Sequence, residues 1–598
     1  MATPRPSLHL LPAALAVLAL IPVVVLPLAY LVYGSTLDTE SATGAGRVTF
    51  ERFGEIAGNA DYRQGILNSL KLAVATGVGS CIIGVLIAWI VVHVRPPGRN
   101  VIDALMIVPF FLSSFVLAIA WAMLGNPNNG LINGWISDLV GRDVVPLSMY
   151  SFWGIAFVIM TGTVPFVYML TAAALGSTDP SLEEAAAMSG AGRVRRLRTV
   201  TLPLVAPSIL AGVFFAVVFA MESFAEPAIL GASIRYNTVL TDIYLAVENF
   251  PIKYGTASAL AVVVMAITVV LVFVQGKLLG NRSFVSLSGK SGSGADISSG
   301  YGRRARLALL LIPVGYLVLA VVLPMLALAL ISLQPFASPQ ITELTLQNYE
   351  WFFSDEANLR ALRNSGITSA AAAVASMLWM FVLAYALRRS RFWGSRVVGY
   401  VALLPIAVPG VVIGVALLWI SLRSPVLIHG TLIIIALAYV ARFSPFVLRS
   451  ITAAMTQVDV ALEESARMSG AGEGRVLRDI IFPLIRPSLL SGGVIFGLFS
   501  LRDLNTVVLL SGPTNNTISM QIWSMYENAQ LPLVAATAVV QSSILLALVV
   551  LGRWLGRAPT VRSSTVDADE PEASYPSRRE GGSPASLASP ALARHGGR

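Results

Sequence analysis

Residues 179–209 read DPSLEEAAAMSGAGRVRRLRTVTLPLVAPSI, and residues 459–489 read DVALEESARMSGAGEGRVLRDIIFPLIRPSL. At an offset of 280, without gaps, 17 of the 31 positions are identical, so the chain carries one unit twice. A second alignment, at offset 296, pairs Asn68-Ser69 with Asn364-Ser365 and Pro109 with Pro405. The two offsets differ by 16, which assigns a longer connection to the first copy, around GNPNNGLINGWISDLVGRDVVPLSMY.

The surroundings of the repeat say which solvent the chain needs. Of 598 residues 56% are hydrophobic and only 12% are charged, about half the ~25% charge of soluble domains. Twelve stretches are long and apolar enough to span ~30 Å of hydrocarbon as helices: 9–33, 67–94, 104–124, 151–175, 204–232, 255–279, 307–333, 366–387, 398–421, 430–449, 484–511 and 532–555. The expected fold is therefore an all-α integral membrane protein of twelve transmembrane helices in two homologous six-helix halves. The first stretch, with about 23 apolar residues after Arg5, is long for a signal-peptide core and reads as a helix that stays.

The net charge of +9 does not point to nucleic acid. Lys and Arg cluster in alternate connections, at 95–99, 193–198, 277–306, 388–396 and 467–486, as expected of loops on the cytosolic side. This bias predicts an inner (plasma) membrane protein with both termini in the cytosol. The expected divisions are a first half over 1–280, a Ser/Gly-rich linker over 281–305, a second half over 306–556, and a disordered tail over 557–598.

Each repeated loop follows one pattern: Glu, two small residues, three others, Gly, and a distal Pro. The first copy supplies Glu184, Ala185, Ala186, Gly190 and Pro203; the second supplies Glu464, Ser465, Ala466, Gly470 and Pro483. Small residues beside Glu let a short helix lie close to a partner surface. Gly permits a sharp turn between two short helices, and Pro suits the start of the next helix. The pattern resembles the EAA loop of ABC importer permeases. ESFAEPAILGASIRYNTVLTDIYLAV and LRDLNTVVLLSGPTNNTISMQIWSMYE further resemble the fused ferric-iron-type permeases, within a group that includes thiamine, polyamine, phosphonate and sulfate permeases. The resemblance implies an importer subunit, without enzyme activity or cofactor, that works with two copies of an ABC ATPase and an extracytoplasmic solute-binding protein. It makes the two loops the ATPase-coupling residues, with Glu184 and Glu464 as polar anchors.

Other signals are weaker. Gly289-Lys290-Ser291 ends like a phosphate-binding loop, but the required earlier glycine is Phe284, so energy must come from another chain. His9, His93, His429 and His595 are scattered, and Cys81 is alone, so neither a metal site nor a catalytic cluster is expected. Glu222, Glu226, Arg502 and Asp503 lie late in the fifth apolar stretch of each half. Charges in such stretches mark pathways. Glu222 is 19 residues beyond Pro203, ~28 Å of helix, which favours a solvated outer mouth or a docking contact over a direct role in passing the solute. A secondary transporter also fits twelve helices in two halves, but leaves the two loops unexplained.

Overall fold

A single apolar segment in lipid satisfies its own backbone by forming a helix, and the computed structural model is all-helical among its described residues, 10–40, 46–142, 145–279, 302–340, 343–389, 394–425 and 427–555. The expected linker, apart from residues 302–305, the expected tail and the Gly289-Lys290-Ser291 segment lie outside them. The first half contributes α1 (Ala14–Ser35), α2 (Ala60–Val94), α3 (Arg99–Phe111 with Ser114–Leu124), α4 (Phe152–Gly176), α5 (Leu197–Met221) and α6 (Tyr254–Leu278). The second contributes α7 (Arg303–Ser332), α8 (Glu356–Arg388), α9 (Ser395–Ala407 with Gly410–Arg423), α10 (Leu432–Gln457), α11 (Gly474–Arg502) and α12 (Leu531–Gly552).

Ten of these are single helices long and apolar enough to cross a membrane; α3 and α9 are not. The sequence reads 104–124 and 398–421 as uninterrupted spans. The structure bends them by 93° and 108°. Pro109 and Pro405, which the 296 offset pairs, each lie just before the break and remove a helical N–H. Leu112 and Val408 then take extended ψ values of 152° and 118°.

Within each half, the second, fourth and fifth helices form a tight trio: α2, α4 and α5 in the first, α8, α10 and α11 in the second. Small residues set the closeness, as in many membrane helix pairs. A Cβ on Gly212 would stand 3.0 Å from the Val167 backbone, and its repeat mate Gly492 faces Val447 at 3.4 Å. The first helix of each half crosses over. α1 packs on α9 and α7 packs on α3. Gly34 of α1 lies flat against the buried Trp419 of α9, where a Cβ would come 2.6 Å from the indole.

A second repeated device ties the loop after the fifth helix to the second helix. Asn68 Nδ2 donates to the Asn237 carbonyl at 2.8 Å, and Ser69 Oγ accepts from Val239 N at 2.9 Å. In the second half Asn364 Nδ2 donates to the Asn516 carbonyl at 3.0 Å, and Ser365 Oγ accepts from Ile518 N at 2.8 Å. The clasped loops lead into the short helices Val239–Glu248 and Ile518–Glu527.

Candidate functional site: two repeated loops and a central charged cavity

The repeated loops fold alike. Asp179 accepts from Ser181 N at 2.9 Å and caps the helix Pro180–Met188; Asp459 accepts from Ala461 N at 3.0 Å and caps Val460–Met468. Each helix ends in a left-handed glycine, Gly190 at φ +79° and Gly470 at φ +82°. The next amide closes the turn, Ala191 N to the Ala186 carbonyl at 3.1 Å and Ala471 N to the Ala466 carbonyl at 3.0 Å. Short helices Arg193–Arg196 and Glu473–Val476 follow.

Two details add to the sequence reading. Pro203 and Pro483 sit in the first turn of the α-helices Leu202–Met221 and Phe482–Arg502, but they do not begin the helical path. The chain is already helical from Arg193 and Glu473, and one π-turn each, Leu197–Thr201 and Leu477–Ile481, precedes the prolines. The wider turn absorbs the N–H that proline lacks. In the second loop it is Glu463 that is buried, 3.8 Å from Arg467, while Glu464 and Ser465 are exposed and Ala466 is half-buried. Ala185 is exposed and Ala186 half-buried; the Glu184 side chain lies outside the described residues. Met188 and Met468, at equivalent positions, stand 86% and 90% exposed.

The second site lies where the halves meet. α5 and α11 end at Met221 and Arg502, so the 280 offset sets Glu222 and Arg502 at the same register. Between them is a cavity of roughly 140 Å³ lined by Phe110, Ser114, Phe219, Glu222, Arg442, Phe499, Arg502, Asp503 and Asn505, among others. Arg442 of α10 pairs with Glu222 at 3.2 Å, first half to second. Arg502 donates to the Phe110 carbonyl and, at 2.7 Å, to the Leu112 carbonyl, the two acceptors exposed by the bend in α3. Its guanidinium also stacks 5.5 Å over Phe110 and 5.0 Å over Phe499. Asp503 accepts from Thr506 N at 3.1 Å, and Glu226 accepts from Ser223 Oγ.

Glu222 falls at the end of its helix, as helix length predicts, but it is not solvated there. Its side chain is 14% exposed, Asp503 is 8% and Glu226 is 1%. The inner corners of α3 and α9 fold over the helix ends and exclude the solvent that a plain outer mouth would offer. Counting residues along one helix cannot see that cover. The sequence reading also missed Arg442, although a lone arginine inside LIIIALAYVARFSPFVL is the kind of intramembrane charge that marks function. No group of three His, Cys, Asp or Glu residues is placed to hold a metal ion among the described residues.

Comparison with known proteins gives the arrangement its family. The family model described as "binding-protein-dependent transport system inner membrane component" matches twice, at residues 80–282 and 380–560, together more than half the chain. The ferric transport system permease protein FbpB of Actinobacillus pleuropneumoniae is 26% identical over 502 residues, 82% of this chain and 71% of that protein. The putative ferric transport system permease protein FbpB 1 of Haemophilus influenzae is 26% identical over 454 residues, 74% of this chain and 70% of that protein. The sulfate transport system permease protein CysT of Salmonella typhimurium is 30% identical over 214 residues, 36% of this chain and 74% of that protein. With the all-helical fold and the doubled loop, these matches make the chain a member of the binding-protein-dependent transport inner membrane component family, the permease subunit of an ABC importer with the family domain present twice.

Proposed function

We propose that this permease carries ferric iron, or a ferric complex, through the cavity between its halves. Two copies of an ATPase subunit drive it from the cytosolic side, and an extracytoplasmic binding protein delivers the solute. The observation that carries the coupling is the duplicated loop. Two copies with one capped helix, one left-handed glycine and one exposed methionine each offer an equivalent surface for one ATPase subunit. On this reading Glu184, Ala185, Ala186, Gly190 and Pro203, with Glu464, Ser465, Ala466, Gly470 and Pro483, transmit ATP-driven closure to α5 and α11. The loops lie in the cytosol, as do both termini. The halves over 1–280 and 306–556, with α1 and α7 exchanged between them, then move about the central cavity as two bodies.

Glu222, Glu226, Arg502 and Asp503 belong to the path. Their carboxylates offer oxygen ligands of the kind a hard cation prefers, held weakly enough by neighbouring arginines to let it go. The ferric assignment draws on relatives matched over 70% and 71% of their own lengths. The sulfate permease among the relatives makes a small oxyanion the competing solute, and Arg442 and Arg502 are the side chains that would receive it. Uptake of radiolabelled ferric iron and sulfate, in cells with and without this gene, separates the two. Loss of iron uptake alone is expected under iron limitation. Unchanged iron uptake with loss of sulfate uptake would overturn the ferric reading and leave the family intact.

A further inference from the structure

We infer that Arg442 and Glu222 are the polar lock of the path, an ion pair across the cavity that must open for solute to pass. The inference rests on the reading that this cavity is the path. Internal symmetry shows why the lock is single. The 280 offset sets Arg502 at the register of Glu222 and Gly162 at the register of Arg442. A symmetric cavity would carry either two such pairs or none. Here only one corner has both partners, and the carboxylate and guanidinium meet at 3.2 Å across the halves. Arg502, which finds no side-chain partner at Gly162, is fastened instead to the Phe110 and Leu112 carbonyls. Pulling Arg502 away would orphan two carbonyls at the bend of α3, so that tie resists opening.

The Arg442 tie is cheaper to break. Asp503, in the same half as Arg442, lines the same cavity and offers the guanidinium a second carboxylate as the halves part. Arg442 Nη1 is buried with no hydrogen-bond partner in the closed arrangement, so the locked state already carries an unsatisfied donor. That nitrogen fills the space a Cβ would take on Gly410, at the corner of α9. The lock therefore holds only while the corner of α9 presents bare backbone to the guanidinium. Movement of α9, of Arg442 or of Glu222 releases it. The other charges facing the pair are Asp503 and Arg502, with Glu226 behind them.

The test reads access to Ser114, a half-buried residue in the cavity wall. The full chain, with Cys81→Ser and Ser114→Cys, is placed in lipid nanodiscs and its modification by a membrane-impermeant thiol reagent is timed. Glu222→Gln and Arg442→Gln should each raise the rate about tenfold, equivalent to ~1.4 kcal/mol. The exchanged pair, Glu222→Arg with Arg442→Glu, should return it to within about twofold of the starting value. Gly410→Ala keeps both charges yet should also accelerate labelling, which preserves the test if a charge variant assembles poorly. Equal rates in the single and exchanged variants, or no acceleration in Arg442→Gln and Gly410→Ala, would overturn the lock. Failure of the path is a separate outcome: reagent bound at Ser114→Cys would then leave solute uptake in cells unchanged.

Discussion

Replacing Gly190 and Gly470 isolates one conformational term, because open space surrounds both. A Cβ built at either position meets nothing within 4 Å, so the added branch point itself meets no neighbour in the chain. What a larger side chain costs is the backbone. At φ +79° and +82° an L-residue pays ~1–2 kcal/mol for the left-handed region. Shared between two independent loops, that penalises the docking-ready conformation by roughly 5–30-fold in each single variant, and by about the product in the double variant. Valine should sit at the upper end, since its branched Cβ tolerates this region worst. Asparagine should be nearly neutral, because its side chain tolerates left-handed backbone. The assay is recovery of the ATPase subunit on tagged permease, with solute-stimulated ATP hydrolysis measured on the same complexes. Gly190→Val and Gly470→Val should lose partner and coupling, while membrane insertion is unaffected and both asparagine variants behave as the original. If valine and asparagine act alike, or valine changes nothing, the left-handed turn is not what presents the loop.

Two further outcomes follow from the same geometry. Asn68→Ala should lower thermal stability by ~1–3 kcal/mol through an unsatisfied Asn237 carbonyl, and Asn364→Ala should do the same in the second half; a melting scan that leaves either unchanged would remove the clasp from the account. Burial, with Asp61 adding to it and Asn237 opposing it, pushes the Asp242 carboxyl up to about 7. The folded chain then binds the proton more tightly than the unfolded one, so stability falls as pH rises from about 4 to about 7 and changes no further above that. Asp242→Asn should flatten that fall in melts recorded from pH 5 to pH 8, and an unaltered slope would refute the assignment.

The helices and the doubled loop are legible in the sequence because each depends on local order. Apolar length gives the spans, and Asp179 and Asp459 with Gly190 and Gly470 punctuate the loops. The bends of α3 and α9 are less so. Pro109 and Pro405 are visible, but proline in a membrane helix commonly only kinks it. In α3 the carbonyls of Phe110 and Leu112, freed at the break, accept from Arg502, which arrives from a segment hundreds of residues later. Arg442 escaped for the opposite reason. Reading the chain as a repeat favours positions that match, and its mate is Gly162. The charged pair of the central cavity sits where the copies diverge, which a search for sameness passes over. The burial of Glu222 was hidden in the same way, because its cover comes from other helices.

The crossing of α1 onto α9, and of α7 onto α3, also sets a timetable for birth of the protein. Gly34 leaves the ribosome long before Trp419 exists to lie against it. At synthesis rates of ~5–20 residues per second, α1 waits roughly 20–80 seconds for its seat. Throughout that interval the newborn first half is an incomplete object in the bilayer, its outer flank covered by lipid where α7 will stand. Joining both halves in one chain keeps that wait short and guarantees that the replacement is tethered nearby.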